Sequence, residues 1–156
     1  MAQKRCFFIG HRDAPDALAP LLQKVVDTLV AEQGVTEFIV GHYGAFDRMA
    51  ARAVLRVKVQ HPEIALLLLL PYHPAECRGS LPEGYDMAYF PEGLERVPRR
   101  LAIVRANREM INRAVYLIAY ARYPGSNARK LVEYARSREK KGLLTVWNLG
   151  DALSQL

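Results

Sequence analysis

Three short stretches of this 156-residue chain carry residue types that bind anions: Gly10-His11-Arg12, Gly41-His42-Tyr43-Gly44-Ala45-Phe46-Asp47 and Pro124-Gly125-Ser126-Asn127. Each stands where an apolar run gives way to a helical pattern. A strand that turns directly into a helix leaves unpaired backbone N–H groups at one spot, with the positive end of the helix dipole behind them. Phosphate binds well there. The plain alternative is an ordinary connection whose glycines serve backbone geometry alone. A single Gly-x-x-Gly turn does not separate the two.

The side chains in these turns have the same double character. Arg12 could hold a phosphate through two parallel hydrogen bonds, or pair with Asp13 or Asp16 on the surface. His11 could donate to a phosphate or act as a base near neutral pH; its structural alternative is a hydrogen bond to a neighbouring loop. Asp47 could bind a ribose hydroxyl or cap a helix, and Ser126 or Asn127 could cap the next. Further along, Arg108, beside Asn107, could point into the same cleft or pair with a glutamate. Arg99-Arg100 could clamp a second phosphate. His11, His42, His61, His73, Cys6 and Cys77 show no zinc-type spacing. His73 and Cys77 are four apart but in a Pro-rich stretch, so no metal site is expected.

These residues need a scaffold, and hydrophobic periodicity supplies one. Residues 4–9, 38–40, 63–70, 115–120 and 143–149 read as strands. Residues 15–32, 47–60, 99–112 and 127–140 read as helices. Leu18, Leu22, Val25, Val26 and Leu29 form the first helix's apolar stripe, and Met49, Ala53 and Val54 share a face of the second. Gly34 and Gly142 end helices. Continuous apolar strands alternating with amphipathic helices imply a parallel sheet covered on both faces. The expected class is α/β, a Rossmann-like parallel sheet of about five strands with helices on both faces, in one domain. Residues 71–98 break the rhythm with five prolines and three glycines, and read as a long lid-like loop, ordered by Tyr72, Tyr85, Tyr89 and Phe90. In such sheets ligands bind outside the carboxyl ends of the strands, where all three turns lie.

Composition sets the outer limits. At 51% hydrophobic and 24% charged residues the chain is ordinary for a globular protein. Its start shows no signal-peptide pattern, and its most apolar run, residues 64–70, is too short to cross a bilayer. Two cysteines make no disulfide framework. A cytoplasmic protein is the expectation. A net charge of +6 favours anionic partners. The densest basic cluster, residues 129–141, could track a nucleic-acid backbone. With only Tyr134 among those charges it lacks a stacking platform, so a small nucleotide-like ligand ranks above nucleic acid.

The order of motifs adds a resemblance. Gly10-His11-Arg12, the Gly-x-x-Gly-x-x-Asp turn at 41–47, Phe90-Pro91-Glu92-Gly93-Leu94-Glu95, Val97-Pro98-Arg99-Arg100, Asn107-Arg108-x-Met110 and Pro124-Gly125-Ser126-Asn127 occur in sequence. Together they resemble the bacterial SLOG-type proteins of the YpsA-like branch. The resemblance implies a Rossmann-like sheet, a pocket for a nucleotide or nucleotide-derived ligand that could serve sensing, and self-association as a homodimer. The wider superfamily includes the Lonely Guy phosphoribohydrolases and the DNA-processing protein A, whose related domain holds single-stranded DNA. The hydrolase hallmark is Pro-Gly-Gly-x-Gly-Thr-x-x-Glu. Here Pro124-Gly125-Ser126-Asn127-Ala128 lacks its later glycines, Lys130 stands in place of the glutamate, and Glu133 is one position out of register. Cleavage of an N-glycosidic bond needs a carboxylate, so that activity does not carry over. For an enzyme, Glu133, Asp47 and His11 are the acid–base candidates. Ser126 Oγ and the Asn127 amide would still hold an anion.

Overall fold

β1 (Arg5–Gly10) is apolar on both sides. Cys6 and Phe8 enter one core, Phe7 and Ile9 the other. A strand buried on both faces needs a helix layer above and below it. The computed structural model describes residues 4–41, 44–72 and 81–153. His42, Tyr43, His73, Cys77 and residues 73–80 of the expected lid lie outside them.

β2 (Glu37–Val40), β3 (Ala65–Leu69), β5 (Tyr116–Tyr120) and β6 (Thr145–Asn148) join β1 in one sheet, with a short edge strand β4 (Met87–Tyr89). The order is β4-β3-β2-β1-β5-β6 and every pairing is parallel. The chain winds outward from β1 through β2 to β4, then crosses back to lay β5 on β1's other side. The switch point therefore lies between β1 and β5, where this class of sheet opens a crevice. The fold is the expected Rossmann-like α/β class.

α1 (Ala19–Gln33) and α2 (Ala45–Lys58) cover one face, burying Leu22, Val26 and Leu29 with Phe46, Met49, Ala53 and Val54. α3 (Arg99–Arg113) and α4 (Asn127–Lys140) cover the other with Ala106, Met110, Ile111, Leu131 and Val132. Gly34 ends α1 in the left-handed region, φ +68°, as its position implied.

Two elements depart from the sequence reading. β4 is a sixth strand inside the stretch read as loop. Three residues carry no usable period, and its side chains are largely exposed. Its place is set from outside: Asp86 accepts a hydrogen bond from Leu66 N–H and from Lys58 Nζ. Partial burial raises the Asp86 carboxyl, but the Leu66 N–H and the Lys58 ammonium outweigh it and hold it below its usual range. The last strand ends at Asn148, and Leu149–Leu153 form a short helix, α5. Asn148 is buried and bonded at both ends of its amide: Nδ2 donates to Ala121 O, while Oδ1 accepts from Ala121 N–H and Gly150 N–H. One side chain ties the exit of β5 to the start of α5.

Candidate functional site

The three turns meet at the carboxyl ends of β1, β2 and β5. The first two are packed backbone to backbone: Ala45 N–H donates to Arg12 O at 2.9 Å. A Cβ on Gly44 would stand 2.5 Å from Arg12 Cα, and one on Gly10 only 2.3 Å from the Phe46 ring. These glycines are there for close approach. Gly44 itself is extended, with φ 179°, a conformation open to any residue.

The first and third turns are joined by His11. Its Nε2 accepts from Arg122 N–H at 2.8 Å and Tyr123 N–H at 3.3 Å, and its ring lies against Tyr123 and the edge of Tyr120. Accepting at Nε2 requires the neutral ring. Burial lowers the His11 pKa, opposed in part by Asp13, which keeps it neutral near pH 7. The structural alternative for His11 is the one the fold adopts. The third turn passes through Gly125 at φ +77°. Ser126 caps α4, accepting from Arg129 N–H and donating to Tyr123 O. Of the two expectations for Ser126, the structure shows the cap; Asn127 and the start of α4 stand beside it at the cavity.

Between the turns lies a cavity of about 140 Å³, lined by Gly10, Arg12, Gly41, Asp47 and Asn127, with Asn107 from α3. Phe8, Ile9, Ile103 and Leu131 form its apolar part. Asp47 is the third residue of α2, two places inside a helix that starts at Ala45 after the cap Gly44. It is therefore not the helix cap. It is buried, faces the cavity and, after burial itself, helps raise the pKa of Tyr85. Arg12 is exposed, and no ion pair joins it to Asp13 or Asp16 among the described residues.

Two candidates stand elsewhere. Arg108 is exposed on the outer side of α3, its guanidinium 4.5 Å from the Tyr134 ring centroid; its neighbour Asn107 takes the place in the cavity. Among the described residues Arg108 pairs with no glutamate, and Glu109 faces Arg105 and Arg113. Helical period explains the swap, because adjacent residues are rotated by about 100° and only one can face the cleft. Glu133, with its side chain 68% exposed, pairs with Arg129 at 3.9 Å on the surface of α4. Arg99 lies over Tyr72 in a separate cavity, and Arg100 lines neither.

The structure also shows how the basic residues are paired. In the late cluster Arg129 and Arg136 face Glu133, Glu139 and Asp151. Arg48, Arg52 and Arg56 on α2 line a groove of about 380 Å³, and among the described residues none of the three makes an ion pair. Their spacing of four was legible in the sequence. A groove of about 560 Å³ along α1 is larger than either but holds none of the expected residues. Among the described residues no group of histidine, cysteine, aspartate and glutamate could hold a metal, and no helix is long and apolar enough to cross a membrane.

No protein-family model and no curated protein matches the chain. It is similar to the X-ray structure of DNA processing protein A from Streptococcus pneumoniae, with a TM-score of 0.62 at 14% identity, covering 99% of this chain and 62% of that one. The chain thus spans less than two thirds of that structure's length. At this identity the likeness is one of fold: six parallel strands with helices on both faces, in the Rossmann-like manner.

Proposed function

We propose that this protein binds a nucleotide or nucleotide-derived ligand at the carboxyl ends of β1, β2 and β5, as a sensor or carrier of that ligand. The observation that supports this reading is the convergence of three distant turns on one cavity. Arg12 supplies positive charge there, Asp47 a carboxylate for ribose hydroxyls, and the start of α4 its helix dipole. Volume narrows the reading further. Ligand pockets usually enclose about 300–1,000 Å³, and this one is about 140 Å³. A phosphate with part of a sugar fills it, and the base lies outside. A thermal-shift screen of nucleoside mono- and diphosphates tests the proposal; stabilisation that disappears in Arg12→Ala supports it, and no shift with any nucleotide overturns it. For an enzyme at this site, Asp47 is the carboxylate in reach, not Glu133.

One observation favours a second reading. The row Arg48, Arg52 and Arg56 follows a groove along α2, and successive guanidinium groups one helical turn apart suit a single-stranded nucleic-acid backbone. Salt-sensitive binding of oligonucleotides, with no response to mononucleotides, would favour it.

A further inference from the structure

α1 and α2 pack side by side over one face of the sheet and leave a groove between them. The two helices are tied there, with Gln23 Nε2 of α1 donating to Ala53 O of α2 at 3.1 Å. Small side chains, Ala19, Ala45 and Ala53, form the floor with Met49. Such a floor lets a third backbone come close, since the distance between packed helices follows the side chains at their contact.

Arg48, Arg52 and Arg56 stand along this floor, one on each successive turn of α2, and all three are exposed. Four residues of helix space them about 6 Å apart along the axis. Asp16 is the one carboxylate among the described residues that line the groove, and none of the three arginines pairs with it. Other arginines of the surface are matched, Arg5 by Glu37 and Arg136 by Glu139. Like charges one turn apart repel, so the row works against the free protein and is relieved by an anionic partner.

The row's spacing and the floor say which kind of anion. Among the described residues none that lines the groove is aromatic, so a nucleic-acid base has no surface there to stack on. A second helix with carboxylates at every fourth position repeats the same spacing of about 6 Å. Each guanidinium holds a carboxylate through two parallel hydrogen bonds. We infer that this groove docks an acidic helix of a partner protein, with Glu or Asp at every fourth position. Its carboxylates pair with Arg48, Arg52 and Arg56, and its small residues lie on Ala19, Ala45 and Ala53. This is docking of a helix in a groove, with charge fixing the register. The groove shares no lining residue with the nucleotide cavity, so the two are tested independently.

Calorimetric titration of the full chain with two synthetic peptides and an oligodeoxythymidylate tests the docking. One peptide is four Glu-Ala-Ala-Ala repeats; the other has the same composition with its glutamates in one block. The repeat peptide is expected to bind about tenfold tighter than the block peptide, and to gain helical circular dichroism as it binds. Replacing Arg48, Arg52 and Arg56 together by alanine should weaken it by about tenfold, the joint effect of three exposed ion pairs. That variant should keep the wild-type melting temperature or raise it, because it removes like charges. The same loss of charge at Lys130, Lys140 and Lys141, which are exposed on α4 and just beyond it, should leave peptide binding unchanged. Equal binding of the two peptides, binding of neither, or an equal loss in both variants overturns the helix site. Oligodeoxythymidylate held through the three arginines while the repeat peptide stays unbound also overturns it, and gives the row to nucleic acid.

Discussion

His11 Nε2 lies 2.8 Å from the backbone nitrogen of Arg122, a residue 111 positions further along the chain. That hydrogen bond, with its partner from Tyr123, holds the third turn against the first. The cavity exists only where these turns stay together. His11 thus ties the two turns together, and the predictions begin there.

Replacing His11 by alanine leaves the Arg122 and Tyr123 N–H groups without their acceptor. Leaving a partly buried donor unpaired costs about 1–3 kcal/mol. For a chain of this size that lowers Tm by about 2–4 °C per kcal/mol. Differential scanning calorimetry reads the loss; a Tm equal to wild type would show that the turns hold together without His11.

The same residue makes stability depend on pH. Burial lowers its folded pKa, whereas the unfolded chain takes up the proton below about pH 6.5. The contribution is therefore complete above that value and is lost as the pH falls toward the lower folded pKa. Melting curves between about pH 8 and pH 5 should show wild type losing more stability on acidification than His11→Gln, which keeps an acceptor but does not titrate. Parallel curves would rule out His11 as the source.

Gly44 and Gly125 are expected to resist substitution for different reasons. A Cβ at Gly44 collides with the Arg12 backbone, so Gly44→Ala should cost about 1–3 kcal/mol, as overpacking does, and should weaken ligand binding by moving Arg12. At Gly125 an added Cβ meets nothing within 4 Å, but φ is +77°. Gly125→Ala should cost about 1–2 kcal/mol, and Gly125→Asn much less. Denaturant titration separates the pair.

Arg12 is exposed on the cavity wall, so Arg12→Ala should leave Tm unchanged. Loss of a charged hydrogen-bonding partner, about 1.5–3 kcal/mol, should weaken nucleotide binding by about 10- to 100-fold. Arg108→Ala and Glu133→Ala, which remove groups outside the cavity, should bind as wild type. Binding that tracks Arg108 or Glu133 instead would misplace the site.

The α2 row makes a separate prediction. Replacing Arg48, Arg52 and Arg56 together by alanine should reduce the salt dependence of any single-stranded DNA binding by about 2 in log–log slope, and leave mononucleotide binding alone. An unchanged slope would assign nucleic-acid contact to another surface.

Period and punctuation in the sequence were enough for the class of fold. The largely apolar runs at residues 4–9, 38–40 and 115–120 read as strands buried on two faces, and Gly34 stopped its helix where expected. The same signals put three turns at one sheet edge, and five of the residues singled out in them, Gly10, Arg12, Gly41, Asp47 and Asn127, line one cavity. Local pattern could not decide the rest. β4 is set by Asp86 reaching Leu66 and Lys58, and α5 by Asn148 reaching Ala121; no period records such distant partners. Whether His11 faced a ligand or a loop, whether Asn107 or Arg108 turned inward, and which arginines kept their charge unpaired depended on what other segments brought within a few ångströms. Residue type states what a side chain can do. Its neighbours in three dimensions decide which of those things it does, because hydrogen bonds and ion pairs act over distances that only the folded chain defines.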